Sequence, residues 1–107
     1  MKENRIAKRI KTSIEVYFWD SSAPTSSVKK AMIVDLSLGG CRLLLSKKET
    51  FNLGNKIKLS FRLDDEKRTK IERDASVRNI GEDYINCIFA PRLQGSEPEF
   101  IAYINTH

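Results

Sequence analysis

The sequence predicts an all-β protein of six antiparallel strands, a small β-barrel or sandwich, followed by a short C-terminal α-helix. Three observations carry that expectation. Apolar and polar residues alternate with period two over most of the chain after residue 13. Turn-forming clusters of Gly, Asn, Asp and Ser interrupt the alternation at short intervals. Helical spacing appears only near the C-terminus. Antiparallel strands of this kind close most readily into a small barrel or sandwich. The 107 residues, 40% hydrophobic and 31% charged, suit one domain core with an ordinary globular composition.

The elements follow in order. From Ser13, Ile14, Val16 and Phe18 alternate with Glu15, Tyr17 and Trp19, a set of β-branched and aromatic residues suited to a pleated surface. Asp20–Ser27 is small, polar and contains Pro24, hence a loop. A second strand is expected over Val28–Val34, with no clear facing, and residues 35–40 (DLSLGG) are expected to break it. Cys41, Leu43 and Leu45 then mark a third strand that ends near Ser46. After the Asn52–Asn55 turn, Ile57, Leu59, Phe61 and Leu63 alternate with Lys56, Lys58, Ser60 and Arg62, the cleanest amphipathic strand in the chain. Asp64–Lys67 forms the next turn, and strands over 69–80 and 84–89 meet at Gly81-Glu82-Asp83. Ser96, followed by Glu97, Pro98 and Glu99, reads as an N-cap with Pro and acids in the first helical turn. Phe100, Ile101 and Ile104 give that helix its apolar stripe.

The charge distribution narrows the function. The formal net charge of +5 is concentrated in residues 1–11, where Lys2, Arg5, Lys8, Arg9 and Lys11 face Glu3 alone. The chain therefore divides into a basic N-terminal arm, residues 1–12, and a nearly neutral barrel domain, residues 13–107. No apolar run reaches the ~20 residues of a membrane-spanning helix, and MKENRIAKRIK has no signal-peptide core, so the expectation is a cytoplasmic protein without membrane insertion. Cys41 and Cys87 make no metal-ligand spacing, and the single histidine, His107, is the last residue. No nucleophile–base pair and no metal cluster can be assembled from these residues, which argues against an enzyme. Asp64, Asp65 and Glu66 sit beside Lys67 and Arg68 and read as a solvated turn.

Two short motifs carry binding chemistry. Arg5 and Arg9 form R-x-x-x-R just before the first strand. Read alone, they are a solvated basic tail; read functionally, two planar guanidiniums on one arm suit phosphate oxygens or the O6/N7 edge of guanine. Asp35, Ser37, Gly39 and Gly40 form D-x-S-x-G-G at a strand end. Alone this is a turn with local Asx and ST hydrogen bonds. Functionally, a carboxylate accepts from the N1–H and N2–H₂ of guanine, a hydroxyl adds a flexible partner, and glycines let a flat ligand approach the backbone.

Taken together, the order, separation and placement of the two motifs resemble the PilZ domain, whose paired signature is R-x-x-x-R followed by (D/N)-x-S-x-x-G. Arg5, Arg9, Asp35, Ser37 and Gly40 occupy its five positions, and the resemblance spans nearly the whole chain, strands and C-terminal helix included. It implies a barrel that binds the bacterial second messenger cyclic di-GMP without a further cofactor. It implies that Arg5 and Arg9 wrap the ligand and contact phosphates and guanine edges, that Asp35 and Ser37 hold a guanine, and that Gly39 and Gly40 permit close approach. It also implies an effector that changes the surface offered to a downstream protein partner. The chain departs from the family around Val77-Arg78-Asn79, where some members carry a stacking tryptophan that Asn79 does not replace, and at Cys87, two residues before Phe89, where the family often has glycine.

Two other readings compete. A small-barrel single-stranded nucleic-acid binder would use the arm and the Tyr17/Trp19 face, but the barrel lacks a basic stripe. A barrel of the same fold working only through protein–protein contacts would bind little or no ligand.

Overall fold

The computed structural model describes residues 8–23, 27–47, 50–92 and 95–107. It contains β1 (Ile10–Asp20), β2 (Lys29–Ser37), β3 (Gly40–Leu45), β4 (Lys56–Arg62), β5 (Lys70–Ile80), β6 (Tyr84–Phe89) and α1 (Pro98–Thr106). The strands close into a six-stranded antiparallel β-barrel in the order β1-β2-β3-β6-β5-β4, the architecture the resemblance implies, and not the sandwich that the alternation left open. Closure removes the unpaired sheet edges that a six-stranded open sheet would expose.

Period-two patterning directs one face of each strand inward. Val16 and Phe18, Ile33 and Leu36, Cys41 and Leu43, Leu59 and Phe61, Ile71 and Val77, and Ile85 and Cys87 form a continuous buried core. Tyr17 and Leu44 lie on the outer surface. Tyr17 donates to Glu15 at 3.3 Å, so this part of the face is an ordinary polar barrel exterior.

The main differences from the sequence expectations lie at two β-bulges. β1 begins at Ile10 rather than Ser13, and its register against β2 shifts between Lys11 and Ile14. Thr12 there donates to the Ile33 carbonyl at 2.6 Å. β2 starts at Lys29 and runs through Asp35 to Ser37, so residues 35–37 extend the strand rather than breaking it. A register shift between Ile33 and Asp35 reverses the facing mid-strand, placing Ala31 and Ile33 and then Leu36 and Ser37 inward. An inserted residue of this kind erases a single period-two pattern, which is why the facing of β2 was illegible. The turn itself is Leu38-Gly39.

The helix differs in its cap. Its N-cap residue is Glu97, with Pro98 opening the first turn, and Ser96 lies outside. Proline's fixed φ and missing N–H favour that first position. The buried stripe is Phe100, Tyr103 and Ile104, while Ile101 is 38% exposed. Phe100 meets Phe61 edge-on at 6.3 Å, and the Tyr103 hydroxyl donates to Asp64.

Arg73 is the side chain that seats α1. It occupies an inward position of β5 between Ile71 and Ala75, with its side chain only 2% exposed. Nη2 and Nη1 donate to the two Glu97 carboxylate oxygens at 2.6 and 3.2 Å, and Nη1 also reaches the Glu72 carbonyl at 2.9 Å. The guanidinium lies 5.3 Å from the Phe100 ring centroid. A bidentate fork of this geometry is what satisfies an arginine removed from water. Its hydrogen bonds hold the Glu97 carboxyl below the usual carboxylate range.

Candidate ligand site on the barrel face

The site lies where β1 begins, β2 ends and β3 begins. Asp35 stands opposite Lys11 of β1 and Arg42 of β3. Arg9 Nε donates to the Asp35 carboxylate at 3.0 Å, and Lys11 Nζ approaches its other oxygen at 3.7 Å. Two residues that are 26 positions apart in sequence therefore meet directly. The Asp35 side chain is 13% exposed, whereas that of Arg9 is 51% exposed and remains open to solvent and to a ligand. Arg5 lies outside the described residues.

Ser37, by contrast, is buried at 6% exposure, and its hydroxyl serves the turn. Its Oγ donates to the Gly40 carbonyl at 3.3 Å and accepts from the Gly39 amide at 3.2 Å. The two glycines differ in what surrounds them. A Cβ on Gly39 would meet nothing within 4 Å, so Gly39 lies open at the tip of the turn. A Cβ on Gly40 would lie 2.2 Å from the Cys87 carbonyl oxygen. Gly40 thus admits the backbone of β6, its partner strand, and holds the turn closed against it.

Two further cations make contacts that the two motifs do not signal. Arg42 projects from the outer face of β3, donates to Asn86 at 2.9 Å and lies 4.4 Å above the Tyr84 ring. The outward alternation of β3 would have shown it. Lys8 Nζ reaches the Asn105 carbonyl of α1 at 3.2 Å, a contact between the arm and the last turn of the helix. No pattern in the sequence signals that contact, since the two residues are 97 positions apart. Arg9 and Lys11 thus both reach the Asp35 carboxylate, and Arg42 stands next to Asp35 in the ladder with its guanidinium turned to Asn86 and Tyr84, so three cations and one carboxylate occupy neighbouring positions. Asn79 is exposed and stands opposite Asn86 in the ladder, so β5 offers amides rather than a ring here.

Cys41 and Cys87 face one another across β3 and β6, both free and buried. The neighbouring Cys87 thiol, together with burial, pushes the Cys41 thiol well above its usual range. Such thiols pack as small hydrophobes. His107 stacks on Tyr103 with ring centroids 4.0 Å apart. Asp65 accepts from the Thr69 amide and hydroxyl at 2.9 and 2.7 Å, which holds its carboxyl below the usual range. Among the described residues no group of His, Cys, Asp and Glu is arranged to hold a metal ion, and no helix is long and apolar enough to cross a membrane.

Among solved structures, the Bacillus subtilis inhibitor of motility superposes with a TM-score of 0.77 at 19% identity, over 97% of this chain and 49% of that one. The chain thus spans about half the length of that protein. The PilZ domain of CeSA from a cellulose-synthesising bacterium superposes with a TM-score of 0.64 at 16% identity, over 91% of this chain and 90% of that domain. At these identities the likeness is one of fold. Comparison with the curated proteins gave no match. The PilZ domain family model matches residues 3–104, a span that takes in most of the arm, the whole barrel and most of α1, and the chain therefore belongs to the PilZ family.

Proposed function

We propose that this protein is a non-enzymatic receptor for cyclic di-GMP. The observation that carries the reading is the Arg9–Asp35 contact, which joins the two halves of the family's signature on one barrel face beside the Ser37–Gly40 turn. Arg5 and Arg9 take the ligand's phosphates and guanine edges. Asp35 accepts from a guanine N1–H and N2–H₂, and Ser37, Gly39 and Gly40 form the turn against which the ligand lies. Lys11 and Arg42 add positive charge at the rim.

Arg9 and Lys11 neutralise Asp35. Binding exchanges that contact for contacts to ligand and draws the arm across the site. The arm also touches α1 through Lys8, so its rearrangement alters the surface around the end of the helix. This supports an effector role in which the ligand changes what a protein partner meets. A nearly neutral barrel favours a small dianion held at one spot over a long polyanion.

Isothermal titration calorimetry with cyclic di-GMP tests the proposal on wild type, Arg9→Ala and Asp35→Asn. Saturable heat from wild type that weakens in both variants supports it. Wild-type protein giving no heat at high micromolar ligand overturns it.

A further inference from the structure

A row of polar side chains crosses five strands on the outer face of the barrel. Lys11 of β1 stands opposite Asp35 of β2, Asp35 opposite Arg42 of β3, Arg42 opposite Asn86 of β6, and Asn86 opposite Asn79 of β5. Within that row Arg42 is held from two sides. Its Nε donates to Asn86 Oδ1 at 2.9 Å, and its Cζ lies 4.4 Å from the centroid of the Tyr84 ring, the diagonal neighbour on β6. The two contacts fix the guanidinium, yet among the described residues Nη1 and Nη2 donate to no acceptor. The side chain is partly exposed. Arg42 therefore presents a donor fork whose rotamer freedom is already restricted before any ligand arrives.

We propose that Arg42 selects guanine over adenine in the bound cyclic dinucleotide, with Tyr84 and Asn86 as its positioning residues. The inference rests on the cyclic di-GMP reading and adds to it the recognition of the base. Asp35 and Arg42 are cross-strand partners, so their backbones stand ~5 Å apart. A purine lying across β2 and β3 meets both side chains at once. Guanine carries its N1–H and N2–H₂ donors beside its O6 and N7 acceptors, so a carboxylate matches the first pair and an arginine fork the second. Adenine reverses this pattern at two positions. Its N1 is an acceptor and would face the carboxylate, and its N6–H₂ is a donor and would face the guanidinium. Lys11, at the other side of Asp35, offers a point charge without a fork and cannot make that distinction. A contact from Arg42 to phosphate would carry no preference either, because the two ligands share the same phosphates.

Calorimetry with cyclic di-GMP and cyclic di-AMP, up to millimolar ligand, tests the proposal on wild type, Arg42→Lys, Tyr84→Leu and Asn86→Ala. Wild type should bind cyclic di-GMP about a hundredfold more tightly than cyclic di-AMP, since adenine fails at both contacts. Arg42→Lys keeps the charge and loses the planar fork, so it should weaken cyclic di-GMP roughly tenfold and leave cyclic di-AMP unchanged. Tyr84→Leu and Asn86→Ala release the guanidinium and should narrow the same ratio by a smaller factor. Melting curves of the same samples, matching wild type within a few degrees, separate these effects from loss of fold. Equal weakening of both ligands by Arg42→Lys overturns the proposal and marks Arg42 as a phosphate contact or a source of charge. Unchanged binding of both ligands overturns it too, as does a wild type that binds the two equally. In those cases the receptor reading stands, whereas a wild type that binds no cyclic di-GMP overturns both.

Discussion

Replacing Glu97 by alanine should destabilise the protein by about 3 kcal/mol. The substitution removes both carboxylate partners of a guanidinium that is 2% exposed, at 2.6 and 3.2 Å. Breaking a buried ion pair from one side typically costs ~3–5 kcal/mol, because the surviving charge stays out of water. Arg73 keeps the Glu72 carbonyl and the Phe100 face, and Glu97 itself is 27% exposed, which places the cost at the lower end of that range. For a domain of this size, about 3 kcal/mol corresponds to a fall in Tm on the order of 10–15 °C. The assay is urea unfolding followed by circular dichroism, at neutral pH and again at acid pH. The folded Glu97 carboxyl titrates below its unfolded value, so its contribution is fully present above the unfolded pKa and is lost as pH falls through the folded one. The gap between wild type and variant should therefore narrow in acid. A neutral-pH loss under about 1 kcal/mol, or a gap that does not shrink, would refute the argument and place the pair with ordinary exposed ion pairs.

The two glycines of the turn should separate cleanly. Gly40→Ala forces a Cβ against the Cys87 carbonyl and should cost about 2–3 kcal/mol by thermal melting, within the range for overpacking, whereas Gly39→Ala should change stability by less than about 0.5 kcal/mol. Arg9→Ala should leave stability within about 1 kcal/mol of wild type, since its ion pair is half exposed, yet weaken cyclic di-GMP roughly ten- to hundredfold in calorimetry. Lys8→Ala should raise hydrogen exchange in the last turn of α1 while leaving the barrel amides unchanged, because it removes the contact to Asn105.

The barrel was legible because one rule, apolar alternation, governs Ile14–Phe18, Ile57–Leu63 and Ile71–Val77 alike. The rule lapsed at Lys11–Ile14 and Ile33–Asp35, where a bulge adds a residue and reverses the facing. Arg73 could have been found, as the one charged residue at an inward position of an otherwise apolar alternation. Its partner could not: Glu97 reads equally well as a helix-start acid, and only the fold brings the two together across 24 positions. The signature residues were legible as a motif, but their different surroundings were not. Asp35 and Arg9 lie at the surface and pair, while Ser37 turns inward to bond the loop. The steric demand at Gly40 comes from a strand 47 positions further along the chain.

The central claim is that an arm and a turn together form a site for a small guanine-bearing dianion. A side-by-side titration of the wild-type chain with cyclic di-GMP, GMP and a single-stranded oligonucleotide tests it most directly. Saturable binding of cyclic di-GMP at micromolar concentration is expected, with GMP and the oligonucleotide at least tenfold weaker. Oligonucleotide binding equal to or tighter than that of cyclic di-GMP, or no binding of cyclic di-GMP at all, would contradict it.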